Sequence, residues 1–191
     1  MSELLPAARE WVSEVHPDAH HLLATEAWLE AIASDAAPRL RIAAVLHDIE
    51  RAFPDPDAGW DSFRDWASPV YNRWHQDRCA RIAADWLRAQ DAPEDLVAEV
   101  AGLIAVHEDG GWPRADLLQA ADSLSFLDTM IGLVVGWARR GGDGPRTAIA
   151  KLQSSLDRIH PELGRARELG RPMLERGLAE VRQATAAAPA R

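Results

Sequence analysis

Apolar residues recur at three- and four-residue intervals along almost the whole chain, and no stretch of alternating apolar and polar residues is long enough to pave one face of a sheet. This periodicity predicts an all-α fold. Helices are expected over 3–15, 19–33, 37–47, 71–90, 93–107, 115–140, 144–158 and 161–184. The one long irregular stretch runs from Pro54 to Val70, and a connection of that length in a small domain is often a lid or a binding loop. Beyond Thr185 the chain is Ala, Pro and Arg, composition that predicts a frayed tail over 185–191. The 191 residues suit one helical domain over 1–184, with enough apolar side chains to build a core without staples.

Several function classes are excluded at this level. The longest apolar run, Met130 to Ala138, falls well short of the ~20 residues that cross a bilayer, so no membrane partner is expected. Residues Met1 to Pro6 carry no basic segment followed by an apolar one, which predicts a cytoplasmic address. Cys79 is the only cysteine, so a disulfide within the chain and a cysteine zinc cage are both impossible, and any metal must be held by His, Asp and Glu. With 21 basic against 30 acidic residues, the surface repels a phosphate backbone and nucleic acid is not expected. Lys151 is the sole lysine; the other cations are arginines, whose planar fork suits an anionic small molecule. A homo-oligomer remains open.

The chain has no Walker glycine loop, no G-x-S-x-G elbow, no G-x-G-x-x-G and no C-x-x-C. A calcium loop over Asp55, Asp57, Gly59 and Asp61 fails because Trp66 stands where a bidentate Glu is required. The histidines carry the signal instead. Leu40, Ile42, Ala43, Ala44, Val45 and Leu46 make a helix that is apolar all round, so its end delivers His47 and Asp48 into the interior. His75 shares a helix face with Cys79, Ile82, Ala83 and Trp86, and His107 extends the stripe Leu96, Val100, Leu103 and Ile104. Asp122 lies among Leu118, Ala121, Ser125 and Phe126, and His21 precedes Thr25 and Trp28 by one and two turns; His20 is the alternative at that position. Buried imidazoles and carboxylates on five helices are costly without a common partner, and helical bundles assemble metal sites in this way. A metal centre in the core is therefore expected.

The order His21, His47-Asp48, His75, His107, Asp122, together with the segment Ala120-Ala121-Asp122-Ser123, resembles the HD-domain superfamily of metal-dependent phosphohydrolases over residues 20–127. The resemblance implies an HD-type helical bundle in which His21, His47, Asp48 and Asp122 bind a first divalent metal. His75 and His107 match the extra histidines of the dinuclear branch, which implies one or two ions, with Fe, Mn, Co, Ni, Zn and Mg not distinguished. His107-Glu108-Asp109-Gly110-Gly111-Trp112-Pro113 is shorter than the signature of the cyclic-di-GMP phosphodiesterases, so that substrate does not carry over. Where many relatives read Gly-Lys after the HD pair this chain reads Ile49-Glu50-Arg51, so the substrate-contacting lysine is replaced by Arg51 or is missing. The implied activity is hydrolysis of a small phosphorylated metabolite or nucleotide through a metal-activated water. Asp48, Glu50 and Glu108 are the candidate catalytic carboxylates, with Glu50 or Glu108 relaying a proton. Arg51, Arg73 and Arg78 are the candidate phosphate clamp. The same ligand set also serves diiron oxygenases of the superfamily, and a non-catalytic metal-binding or sensor domain is the third reading.

Overall fold

A computed structural model describes residues 3–186, and the chain is helical throughout, with no strand among the described residues. Helix α1 spans Leu4–Val15, α2 Ala19–Ile32 and α3 Pro38–Leu46. Tight turns over Ile49–Ala52 and Pro56–Ala58 and the short α4, Ser62–Asp65, lead to α5, Pro69–Ala89. Then follow α6, Glu94–Ile104, α7, Pro113–Thr129, α8, Ile131–Ala138, α9, Gly144–Asp157, and α10, Gly164–Ala186. Proline occupies the first turn of α3, α5, α7 and α9, where its missing N–H costs nothing and its fixed φ favours the helix. Ser68 caps α5 by accepting a hydrogen bond from the Tyr71 amide.

Two hydrophobic clusters make the core. The first gathers α1, α2, α3, α5 and α6 around α3, whose residues 42–46 are all buried, as expected of a helix that is apolar all round. The second joins the C-terminal half of α7 to α8, α9 and α10. Helix α7 belongs to both, since residues 118–127 are buried without interruption. Close approach of α10 depends on a missing side chain, for a Cβ at Gly177 would lie 2.6 Å from Ile131 Cδ1 and 3.2 Å from Leu152 Cδ1.

Three expectations change. The helix expected over 115–140 breaks at Met130, whose φ of −102° and ψ of 14° leave the helical region, and α7 and α8 meet at 64°. The bend lets Ile131, Val134 and Trp137 bury against α9 and α10, where a straight continuation would carry this apolar run into solvent. The segment 54–70 is partly ordered into local structure, with Asp61 accepting from the amides of Phe63 (2.8 Å) and Arg64 (3.0 Å) to start α4. Thr185 and Ala186, expected in the tail, form the last turn of α10, and 187–191 lie outside the described residues. No single helix among the described residues is long and apolar enough to cross a membrane.

Candidate metal centre

Five elements converge on one point in the core. The first turn of α2 supplies His21; α3 ends at His47, and Asp48 leaves the helix with φ −110° and ψ 15°. Helix α5 supplies His75 and α7 supplies Asp122. His107 differs from expectation, because α6 stops at Ile104 and the histidine sits in the turn that follows. That turn closes at Gly110 with φ +70°, a left-handed backbone conformation that favours glycine. His21, His47, His75, His107 and Asp122 are all buried, whereas His20 is exposed.

The four imidazoles form an arc. Neighbouring ring centroids lie 5.3 Å apart for His21 and His47, 5.2 Å for His47 and His107, and 5.2 Å for His107 and His75, each pair close to perpendicular. Asp122 Oδ1 stands 3.3 Å from Nε2 of both His21 and His47, and Asp48 Oδ1 stands 2.8 Å from His75 Nε2.

Every ring is tied from behind through Nδ1. The Nδ1–H groups of His47 and His107 donate to the carbonyls of Ala44 (2.9 Å) and Ile104 (2.8 Å), and that of His75 donates to Glu50 Oε1 (2.9 Å). His21 Nδ1 lies 2.9 Å from Ser125 Oγ, whose own proton goes to the His21 carbonyl, so the ring is again the donor. In the neutral rings the four Nε2 atoms are thereby left as the ligating lone pairs, the tautomer a metal requires. The Nε2 atoms of His47 and His75 are fully buried and make no well-aligned hydrogen bond, and the groups nearest them are the carboxylate oxygens of Asp122 and Asp48. Two acceptor groups, a ring lone pair and a carboxylate oxygen, are costly to bury face to face, and a cation between them would satisfy both. Donor atoms of His21, His47 and Asp122 lie within 4.8 Å of one another, as do those of His75, His107 and Glu108 and of Asp48, His75 and Cys79. The groups present could hold a metal ion.

Electrostatics agree with that donor set. Burial acts to raise Asp48 and Asp122, but Arg51 and His75 hold Asp48 well below the usual carboxylate range and His21 and His47 hold Asp122 below it. Burial, reinforced by His47 and His75, pushes His107 well below the ordinary imidazole value, which keeps it neutral and able to ligate.

The structure sorts the remaining sequence candidates. Arg51 lines the adjoining cavity, with Nε 2.8 Å from Asp48 Oδ2 and one terminal nitrogen 3.2 Å from the Tyr71 hydroxyl. Arg78 does not reach it: the side chain spans the Phe53 carbonyl (2.6 Å) and the Glu50 carboxylate (3.7 Å) behind His75. Arg73, two residues before His75 and so on the opposite side of α5, is exposed. Glu50 is buried against His75 and does not line the cavity. Glu108 lines the cavity and pairs with Arg158.

Four contributors escaped the sequence reading. Arg158, just past α9, also reaches Asp122 Oδ2 (3.2 Å), and Lys151 of α9 lines the same cavity. Gln76 clamps the His107 turn by accepting from the Glu108 amide (2.9 Å) and donating to Asp109 (3.0 Å). His16 Nε2 meets the Asp48 carbonyl at 3.2 Å while its Nδ1 accepts from the Asp18 amide, so it braces the turn that carries the carboxylate. Only Gln76 had a visible signal, being next to His75 at the edge of the same buried face. Comparison with protein-family models, with curated proteins and with solved structures finds no match to this chain.

Proposed function

We propose that this chain is a metal-dependent phosphohydrolase acting on a small phosphorylated compound, with one or two divalent ions held by His21, His47, Asp48, His75, His107 and Asp122. The observation that carries the reading is the arc of four buried imidazoles, each tied through Nδ1, with Asp122 and Asp48 held beside them as ionised carboxylates. The order of these residues along the chain, which resembles that of the HD-domain superfamily, supports it.

Divalent ions bound there would supply a nucleophile at neutral pH and offset charge on a phosphoryl group. The chain's own residues do the rest. A cavity of about 170 Å³ opens beside the ligands, bordered by Arg51, Lys151 and Arg158. That volume lies below the roughly 300–1,000 Å³ of drug-sized sites, which favours a small substrate. Arg51 is held by Asp48 and Tyr71 at the cavity wall, so its fork meets an anion already oriented. Glu108, paired with Arg158 at the cavity wall, is the group placed to exchange a proton with the reacting centre. The three cations favour phosphate-ester hydrolysis over the oxygenase reading, whose ligands would be the same.

Metal analysis of protein purified without chelator, with its visible spectrum and its turnover of phosphate esters in Mn or Co, tests the proposal. A colourless protein that binds metal and hydrolyses phosphomonoesters is the expected result. Two irons with an oxo-bridge absorption and no phosphatase turnover would establish the oxygenase instead, and a metal-free, inactive protein would overturn both.

A further inference from the structure

The cavity beside the ligands has two chemically different walls, and α9 provides the decisive part of one. Lys151, the only lysine in the chain, places its ammonium 4.8 Å from the Phe126 ring and 5.5 Å from the Trp66 ring. Among the described residues that ammonium forms no ion pair and no hydrogen bond, although burial is strong enough to pull its pKa below the ordinary lysine value. Lys151 is half-buried, and the aromatic faces compensate its partly desolvated charge only in part, which leaves the ammonium able to meet an anion. Arg158 lacks this freedom, being engaged by Glu108, Asp122 and Ser123. Arg51 is engaged by Asp48 and Tyr71. Lys151 is therefore the one cation of this cavity with no ion pair or hydrogen bond among the described residues, whereas Arg51 keeps only one terminal nitrogen free.

Charge balance points the same way. Asp18, Asp48, Glu108 and Asp122 face Arg51, Lys151 and Arg158, so the cavity is slightly negative by itself and becomes positive with one divalent ion present. An anion then belongs between the ligands and Lys151. The same cavity is also lined by the apolar Met130, Leu133 and Trp137 from the α7–α8 bend. A second cavity shares Lys151 and Arg158, among other residues, with the first and is also bordered by Asp109 and Ser154.

We propose that Lys151 is the anion-recognition residue of this site, meeting the substrate's phosphate, and that the substrate is a compact phosphomonoester whose ester group is apolar and seats against Met130, Leu133 and Trp137. The inference rests on the phosphohydrolase reading above. Lysine suits the position because a compact ammonium on a flexible stem can follow the phosphate as bonds change, where a planar fork would be fixed.

The test uses metal-loaded protein and inorganic phosphate as the probe, with binding read by calorimetry and turnover compared for phenyl phosphate and glycerol phosphate. Lys151→Met and Lys151→Gln should each weaken phosphate binding and raise KM by tenfold or more, about 1.4 kcal/mol, with metal content and circular dichroism unchanged. Arg146→Ala, exposed near the start of α9, should change neither quantity. Phenyl phosphate should be turned over with a kcat/KM at least tenfold above that of glycerol phosphate. Phosphate affinity within twofold of the parent in both lysine variants would overturn the role of Lys151, and equal kcat/KM for the two esters would overturn the apolar seat. Absence of both phosphate binding and turnover in the metal-loaded parent would instead overturn the phosphohydrolase reading, and this inference with it.

Discussion

Replacing Glu50 by Gln isolates the step by which the fold prepares a ligand. Glu50 Oε1 accepts the His75 Nδ1–H at 2.9 Å, deep enough in the core that water does not screen the pair, and its other oxygen faces Arg78 at 3.7 Å. The amide of Glu50→Gln can still accept through its oxygen, so the ring keeps its orientation, but the negative charge that strengthens the lone pair at Nε2 is gone. Loss of such an outer carboxylate typically costs about 10–100-fold in metal affinity, ~1.4–2.8 kcal/mol. The effect should fall on one site only, because His21, His47 and Asp122 have no contact with Glu50. Chelator competition followed by metal analysis reads the two affinities separately: the weaker ion should be lost at about tenfold lower chelator while the other stays. A variant that keeps both affinities but loses kcat would show that Glu50 moves a proton in the reaction and does not position His75, contrary to the geometry.

Further expectations follow from the same arrangement. His75→Ala with His107→Ala should lower metal content from two ions per chain toward one with circular dichroism unchanged; an equal content in both proteins would reduce these histidines to core residues. Burial pulls His47 and His75 down, but Asp122 raises His47 and Cys79 and Asp48 raise His75, and the net shift of both is upward. A metal must displace those protons, so its affinity should climb as pH rises through neutrality and each ion bound should release protons, measurable by calorimetry in two buffers; a pH-independent affinity would contradict it. Leu124, fully buried where α7 faces Gly170 of α10, should cost about 2–5 kcal/mol as Leu124→Ala, seen as a lower Tm with the ligands intact.

What the sequence disclosed depended on how local each cause was. Helix periodicity is local, so most helices were legible, yet the break at Met130 was not, because it is set by where α9 and α10 offer cover for Trp137. The ligands stood out because a histidine or aspartate on an apolar face is anomalous in the sequence itself. His107 was assigned to a helix end although it lies in a turn, since Gly110 and Gly111 signal the stop without saying on which residue it begins. Lys151 and Arg158 were invisible for the opposite reason. Seven residues apart on an amphipathic helix, they read as a solvated face, and only the packing of α9 against α7 turns them toward Asp122. The role of Glu50 likewise needed the fold, because its partner is 25 residues away on α5.

Anomalous diffraction from crystals of the protein purified without chelator, collected across the absorption edges of the first-row metals, tests the central claim most directly. The account predicts at least one anomalous peak inside the histidine arc, about 2.0–2.2 Å from Nε2 of His21 and His47 and from an oxygen of Asp122, with a second near His75 and His107 when both sites fill. No anomalous peak at that point, with ordered water hydrogen-bonded to the Nε2 atoms of His47 and His75 in its place, would contradict it.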